Sequence, residues 1–122
     1  MKEDINVKYN TILLNTFPDL KEKFDEETSW QQGIESPIMS TFEDVFVPYI
    51  VKQLADNNVE NIKKIADIIE DMITSGNDDV FNVAYVGVLE YLRGDQDGQK
   101  IEGYLKEKSL AEYNDLEIYK KH

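Results

Sequence analysis

Residues 58–73 read NVENIKKIADIIEDMI, and the spacing of apolar residues within them decides the fold. At about 100° per residue, Val59, Ile62, Ile65, Ala66, Ile68, Ile69, Met72 and Ile73 share one half of a helical wheel. Glu60, Lys63, Lys64, Asp67, Glu70 and Asp71 take the other half, the solvated side. Glu60 with Lys64, and Lys63 with Asp67, stand at i,i+4, where an ion pair contributes roughly 0.2–0.5 kcal/mol. Asn58 is the expected N-cap, and the SGNDD turn at 75–79 ends the helix.

Upstream, TFEDVFVPYIVKQLADN at 41–57 carries a broad apolar face of Phe42, Val45, Phe46, Tyr49, Ile50 and Leu54, widened by Val47 and Val51. Ser40 and Glu43 have capping-box spacing ahead of it. Pro48 lacks an N–H and should bend or split this helix. QQGIESPIMS at 31–40 reads as a loop, punctuated by Gly33 and Pro37. Asp19 and Glu22 form a second capping-box pattern, opening LKEKFDEETSW at 20–30, with Leu20, Phe24 and Trp30 on its sparse apolar side. EDINVKYNTILLNTF at 3–17 places Ile5, Tyr9, Ile12, Leu13 and Phe17 at helical intervals, ending near Pro18.

Downstream, Asp78 or Asp79 opens a helix that stops near Gly94, and GDQDGQ at 94–99 is a turn. Ile101, Tyr104, Leu105, Leu110, Tyr113, Leu116, Ile118 and Tyr119 offer core contacts for one or two final helices, with Lys120 and Lys121 suited to a helix C-terminus. The expected fold is all-α, an irregular bundle or short alpha-solenoid-like array of about six helices. No sequence period marks a true repeat. At 122 residues the expectation is a single helical domain over 1–122.

Composition narrows the function classes. The chain has 25 acidic and 13 basic residues, a net charge of -12, so its own field would repel phosphates and direct nucleic-acid binding is disfavoured. Residues 1–98 hold 20 acidic and 8 basic residues, whereas 99–122 hold 5 of each. A polyanionic body fits a basic protein partner, although solubility alone also explains it. No apolar run is long enough to span a bilayer and no signal peptide opens the chain, so the cytoplasm is the simplest location. With no cysteine and one histidine, His122 at the last position, thiolate chemistry and zinc sites lack ligands. There is no phosphate-binding glycine loop and no nucleophile elbow. Asp95, Asp97, Gly98 and Glu102 do not meet the spacing of a calcium loop, because Gln99 and Lys100 intrude. No cofactor, metal or catalytic residue is assigned; a carboxylate-dependent enzyme would need acids converging in a pocket.

Seven Tyr, five Phe and one Trp favour a binding surface over a catalyst. Trp30 beside Asp25, Glu26 and Glu27 is the first candidate, with a plug for the end of the core as its alternative. Asp78 and Asp79 form a second acidic edge. The helix they open contains NVAYVGVLEYLRG at 82–94. With Phe81 at zero, Phe81, Ala84, Tyr85, Val88, Leu89, Tyr91 and Leu92 span the apolar arc from about 280° to 80°. Glu90 lies opposite that arc, within reach of Arg93 at i,i+3. Val83 and Val86 share Glu90's polar side, which calls for cover by another helix or by a partner.

The succession YNTILLNTFPDLKEKFDEE, a Trp, FEDVFVPYI, NVENIKKIADIIEDM and VFNVAYVGVLEYL resembles a family of small bacterial helical proteins grouped as a domain of unknown function, over residues 9–93. That resemblance implies an all-helical domain and carries over no catalytic residues. The chain is also similar, more loosely, to the acidic helical immunity proteins that block bacterial toxins. This second likeness implies an inhibitor of a cationic toxin domain. The alternative is a structural or self-associating helical protein, a homo-oligomer without catalytic activity.

Overall fold

The computed structural model describes residues 4–29 and 33–120, the side chains of 117–120 excepted. Trp30, the side chains of Ile118 and Tyr119, and Lys121 therefore lie outside the described residues. In order, the elements are α1 (Ile5–Thr16), a 3-10 turn (Pro18–Leu20), α2 (Lys21–Glu27), a 3-10 turn (Gly33–Glu35), α3 (Ile38–Thr41), a first π segment (Phe42–Phe46) and α4 (Val47–Ala55). There follow α5 (Val59–Ile73), α6 (Asp78–Asn82), a second π segment (Val83–Leu89), α7 (Glu90–Arg93), a 3-10 segment (Gly98–Tyr104) and α8 (Glu107–Lys120). The fold is all-α and irregular; the described residues contain no strand. None of their helices is long and apolar enough to cross a membrane. The chain divides into two compact units, 1–48 and 49–122.

In the first unit, α1 packs on the Gly33–Glu35 turn and on α3. Asp4 caps α1 by accepting from the N–H groups of Asn6 and Val7. Tyr9, Leu13, Phe17, Phe24, Phe42, Val45 and Phe46 are buried, with the Phe42 and Phe46 rings edge to face at 5.2 Å. Asn10, 0% exposed, joins them inside. Its Nδ2 donates to the carbonyls of Ile34 (3.0 Å) and Ser36 (2.9 Å), and its Oδ1 accepts from Thr41 Oγ1 at 2.6 Å. One turn earlier, Asn6 Oδ1 accepts from Ile38 N–H at 3.1 Å. Two asparagines at i,i+4 thus grip the chain from 34 to 41.

That grip corrects the expected cap at Ser40. The helix begins at Ile38, directly after Pro37, because Asn6 supplies an acceptor for an N–H that α3 cannot satisfy itself. Ser40 lies inside the helix. The Asp19 capping box is also not formed: Pro18 starts a 3-10 turn, and Leu20, with no side-chain cap, holds the N-cap position of α2. Glycine and proline signals upstream set both starts.

In the second unit, α5 contacts α8, α6 and the second π segment; α7 and that π segment in turn contact α8, closing a three-sided core. Ile62, Ile65, Ala66, Ile68, Ile69, Met72 and Ile73 are buried on α5, as the wheel requires, whereas Val59, in the first turn where no neighbour covers it, is 43% exposed; Asn58 caps the helix through Asn61 N–H. Asn57, at φ 56, turns the chain between α4 and α5: its own N–H meets Leu54 O at 3.2 Å and Asn58 N–H meets Gln53 O at 3.0 Å, a Schellman closure.

The polar side of α5 is less idle than its periodicity implies. Among the described residues, no ion pair joins Glu60 to Lys64 or Lys63 to Asp67. Asp67 instead binds Lys106, whose ammonium is held above its ordinary pKa by that hydrogen bond and by the carboxylate's charge. Glu70, half-buried, accepts at Oε1 from Ser109 N–H (2.9 Å) and Ser109 Oγ (2.8 Å), a carboxylate at the start of α8 where the helix dipole favours it. Ser109 is 0% exposed, so Glu70→Ala strands a buried N–H and hydroxyl. The expected loss is about 1–2 kcal/mol in urea unfolding, with Glu70→Gln losing less because its carbonyl oxygen still accepts. Equal losses for Ala and Gln would show that charge, not hydrogen bonding, carries the contact.

Both long helices contain π turns. Val47 N–H bonds to Phe42 O and Glu90 N–H to Tyr85 O, each an i→i+5 step. The first lies against Pro48, whose ring would otherwise meet the carbonyl four residues back; the wider turn makes room, so the helix continues through Pro48 instead of splitting. A π ladder advances roughly 82° per residue against about 100° in an α-helix, so six steps across the second segment set back everything beyond it by about 110°.

Candidate protein-binding face

The 110° lag remakes the surface of the 78–93 helix. Tyr91, placed in the apolar arc by a uniform wheel, swings out to 57% exposure, while Leu89 and Leu92 stay fully buried. Val83 opens the segment, ahead of any lag, and is buried because the core-facing stripe runs through Val80, Val83, Ala84, Gly87 and Val88 and is not centred on half-buried Phe81. At 4% exposure it belongs to the protein's own core, which corrects its expected place on a binding surface. Val86 stays outside at 42%, in phase with exposed Asn82 and Glu90 at spacings of four.

Charge frames these apolar groups. Asn77 caps the helix through Oδ1, accepting from Asp79 N–H (2.9 Å) and Val80 N–H (3.1 Å). Asp78 and Asp79 follow, exposed, in the first turn, where they also complement the helix dipole. Phe81 and Tyr85, both half-buried, stack at 5.6 Å between ring centres. Among the described residues neither Asp78, Asp79 nor Glu90 has an ion-pair partner. The expected Glu90–Arg93 pair does not form, because the Arg93 guanidinium lies over the Tyr113 ring, 4.9 Å from its centre, with Nη1 donating to Tyr113 Oη at 3.4 Å. A half-buried guanidinium gains more on an aromatic face than at an exposed carboxylate.

The other acidic candidates are differently arranged. On α2, Lys21 pairs with Asp25 and Lys23 with Glu27 at 2.8 Å, both at i,i+4. Lys23's pKa is raised by its hydrogen bond to Glu27. Glu26 is exposed, so α2 presents a largely compensated surface. Trp30, the aromatic expected beside it, is outside the described residues. Among the described residues no group of three or more His, Asp or Glu side chains is placed to hold a metal ion.

The face on 78–93 combines two exposed apolar side chains, carboxylates at both ends without ion-pair partners among the described residues, and a stacked aromatic pair alongside. No curated protein and no solved structure matches the chain. A family model does, over residues 10–121, further along the chain than the resemblance read from 9–93. The chain belongs to that family, Domain of unknown function (DUF7674).

Proposed function

We propose that this domain acts by binding a basic protein, without catalysis of its own. The observation that carries the reading is the 78–93 helix, where Val86 and Tyr91 stand exposed between carboxylates lacking partners among the described residues, in a chain of net charge -12. Exposed apolar groups provide contact area, and the surrounding negative field speeds encounter with a cationic surface. An immunity-type inhibitor of a cationic toxin domain is the most concrete form of this activity, with the cytoplasm as the compartment it assumes. Affinity purification of the tagged full chain from its native cells, repeated at low and high salt, tests it. The expected result is one basic protein, recovered at low salt and diminished at high salt, since screening at about 0.15 M ionic strength already limits exposed charges to roughly 8 Å. Recovery of the chain alone, with its neighbours expressed, overturns the reading in favour of self-association or neither.

A further inference from the structure

Resting on the binding reading, the geometry points to a specific mode of docking: the exposed ridge of the 78–93 helix inserts into an apolar groove rimmed with Lys or Arg on a basic protein. The ridge is convex, a single helix edge with Asn82, Val86 and Glu90 at spacings of four and Tyr91 beside them. A protruding row requires a recess, as when an amphipathic helix lays its apolar residues into a partner's groove. Val86 and Tyr91 are the anchors. Tyrosine combines a large apolar ring with a hydroxyl that tolerates a wet rim, the pattern of an interface hot spot.

Charge complementarity sets the occupant. Glu90 adjoins Tyr91, and Asp78 and Asp79 lie at the other end of the helix, so cations on the groove's rim meet carboxylates at both ends of the apolar contact. Ion pairs of a carboxylate with a cation that dock beside an anchor lose water and act on dissociation, whereas the more distant Asp78 and Asp79 steer approach. A second copy of this chain fits poorly, because it would bring two such acidic ridges together. The π segment is what holds Tyr91 on this ridge: without the lag it would turn toward the core beside Leu92.

The test uses the full chain with a photo-crosslinking residue at Val86, and at Lys63 on the solvated side of α5 as control, expressed in the native cells. Adducts are mapped by mass spectrometry, and the captured protein is purified for kinetics. The ridge is supported by adducts from position 86 but not 63 to a basic protein, with Tyr91→Ala and Val86→Ser each weakening its binding about tenfold or more through faster dissociation. Glu90→Lys weakens binding further at low salt, and Asp78→Asn with Asp79→Asn slows association by several fold. Crosslinks only to another copy of the chain assign the face to self-association and overturn the proposal. A basic partner that binds Tyr91→Ala and Val86→Ser with unchanged affinity also overturns it, while leaving the broader binding function intact. Circular dichroism of each variant, matching the unsubstituted chain, separates lost contact from lost fold.

Discussion

Asn10→Ala is expected to lower the free energy of unfolding by about 3 kcal/mol, a large effect for a polar side chain. Asn10 is fully buried, and its bonds to Ile34, Ser36 and Thr41 join α1 to the segment 34–41. Alanine removes two donors from the carbonyls of Ile34 and Ser36 and an acceptor from the Thr41 hydroxyl. Each stranded buried group costs roughly 1–3 kcal/mol, but the total is held down because Thr41 Oγ1 already lies 3.4 Å from Ile38 O and can turn toward it. Asn10→Leu restores volume and not the bonds, so it should fare no better. Asn10→Asp distinguishes donation from shape. An ionised carboxylate facing two carbonyls is unfavourable, and burial favours its protonated form, so its folded pKa lies above the unfolded value. This variant's deficit should therefore shrink as pH falls below that raised pKa, the unfolded state taking up fewer protons than the folded one. Urea unfolding at constant m-value measures each loss. A loss under about 1 kcal/mol for Asn10→Ala would mean that water replaces the amide, and the grip on 34–41 is not what holds the segment.

That asparagine explains why the first unit was less legible than the second. Along α5, apolar and charged residues alternate with a period that also describes the packing, and Ile62 through Ile73 bury as the wheel requires. Along α1, Asn6 and Asn10 carry the decisive contacts, yet a hydropathy wheel counts both as solvent-facing. A buried amide is distinguishable from an exposed one only by its partners, and those lie 24 to 32 residues away in sequence. The cap expected at Ser40 failed for the same reason, whereas the one at Asp19 gave way locally to the turn that Pro18 starts. Ser40 had the right neighbours locally, but Asn6 offered the N–H of Ile38 a tertiary acceptor two residues earlier.

The candidate binding face failed to read for a different reason, the assumption of a constant 100° step. Tyr91 changes sides across the second π segment, while Val86 and Glu90, exposed in both geometries, do not; Val83, at the segment's start, was misplaced only because the wheel was centred on Phe81 when the buried stripe runs through Val80, Val83 and Ala84. A trace of the π turns does exist in the sequence. Three consecutive buried residues lie at the end of each segment, Val45 and Phe46 with Val47 just beyond the first, and Gly87, Val88 and Leu89 closing the second. Three in a row span about 200° of an α-helix, too wide for a face with one neighbour, and a wider turn narrows that arc. Pro48 marks the first segment as well. Nothing comparable marks the second, and so the exposure of Tyr91 emerged only from the backbone.

Gly98→Ala should destabilise the chain by about 2–3 kcal/mol, although alanine is the smallest substitution available. A Cβ at this position would stand 2.7 Å from Leu92 O and 2.8 Å from Leu92 Cα, with Asp95 Cβ at 3.1 Å. The first two are backbone atoms near the end of α7, and Leu92 itself is fully buried, so no flexible side chain can yield. The contact is fixed from the other side too, since Asp95 Oδ1 accepts from Gly98 N–H at 2.8 Å and holds the turn closed. Relief therefore requires the Gly98–Tyr104 segment to lift away from α7, drawing fully buried Ile101 toward water. Gly103, five residues on in the same segment, provides the comparison. A Cβ there meets nothing within 4 Å, so Gly103→Ala should change stability by no more than about 0.5 kcal/mol. Thermal and urea unfolding of the two variants separates close approach from any general intolerance of alanine in this segment. If Gly98→Ala is as mild as Gly103→Ala, the segment moves freely over Leu92, and the packing of α7 on its C-terminal neighbour does not hold the 78–93 helix in place.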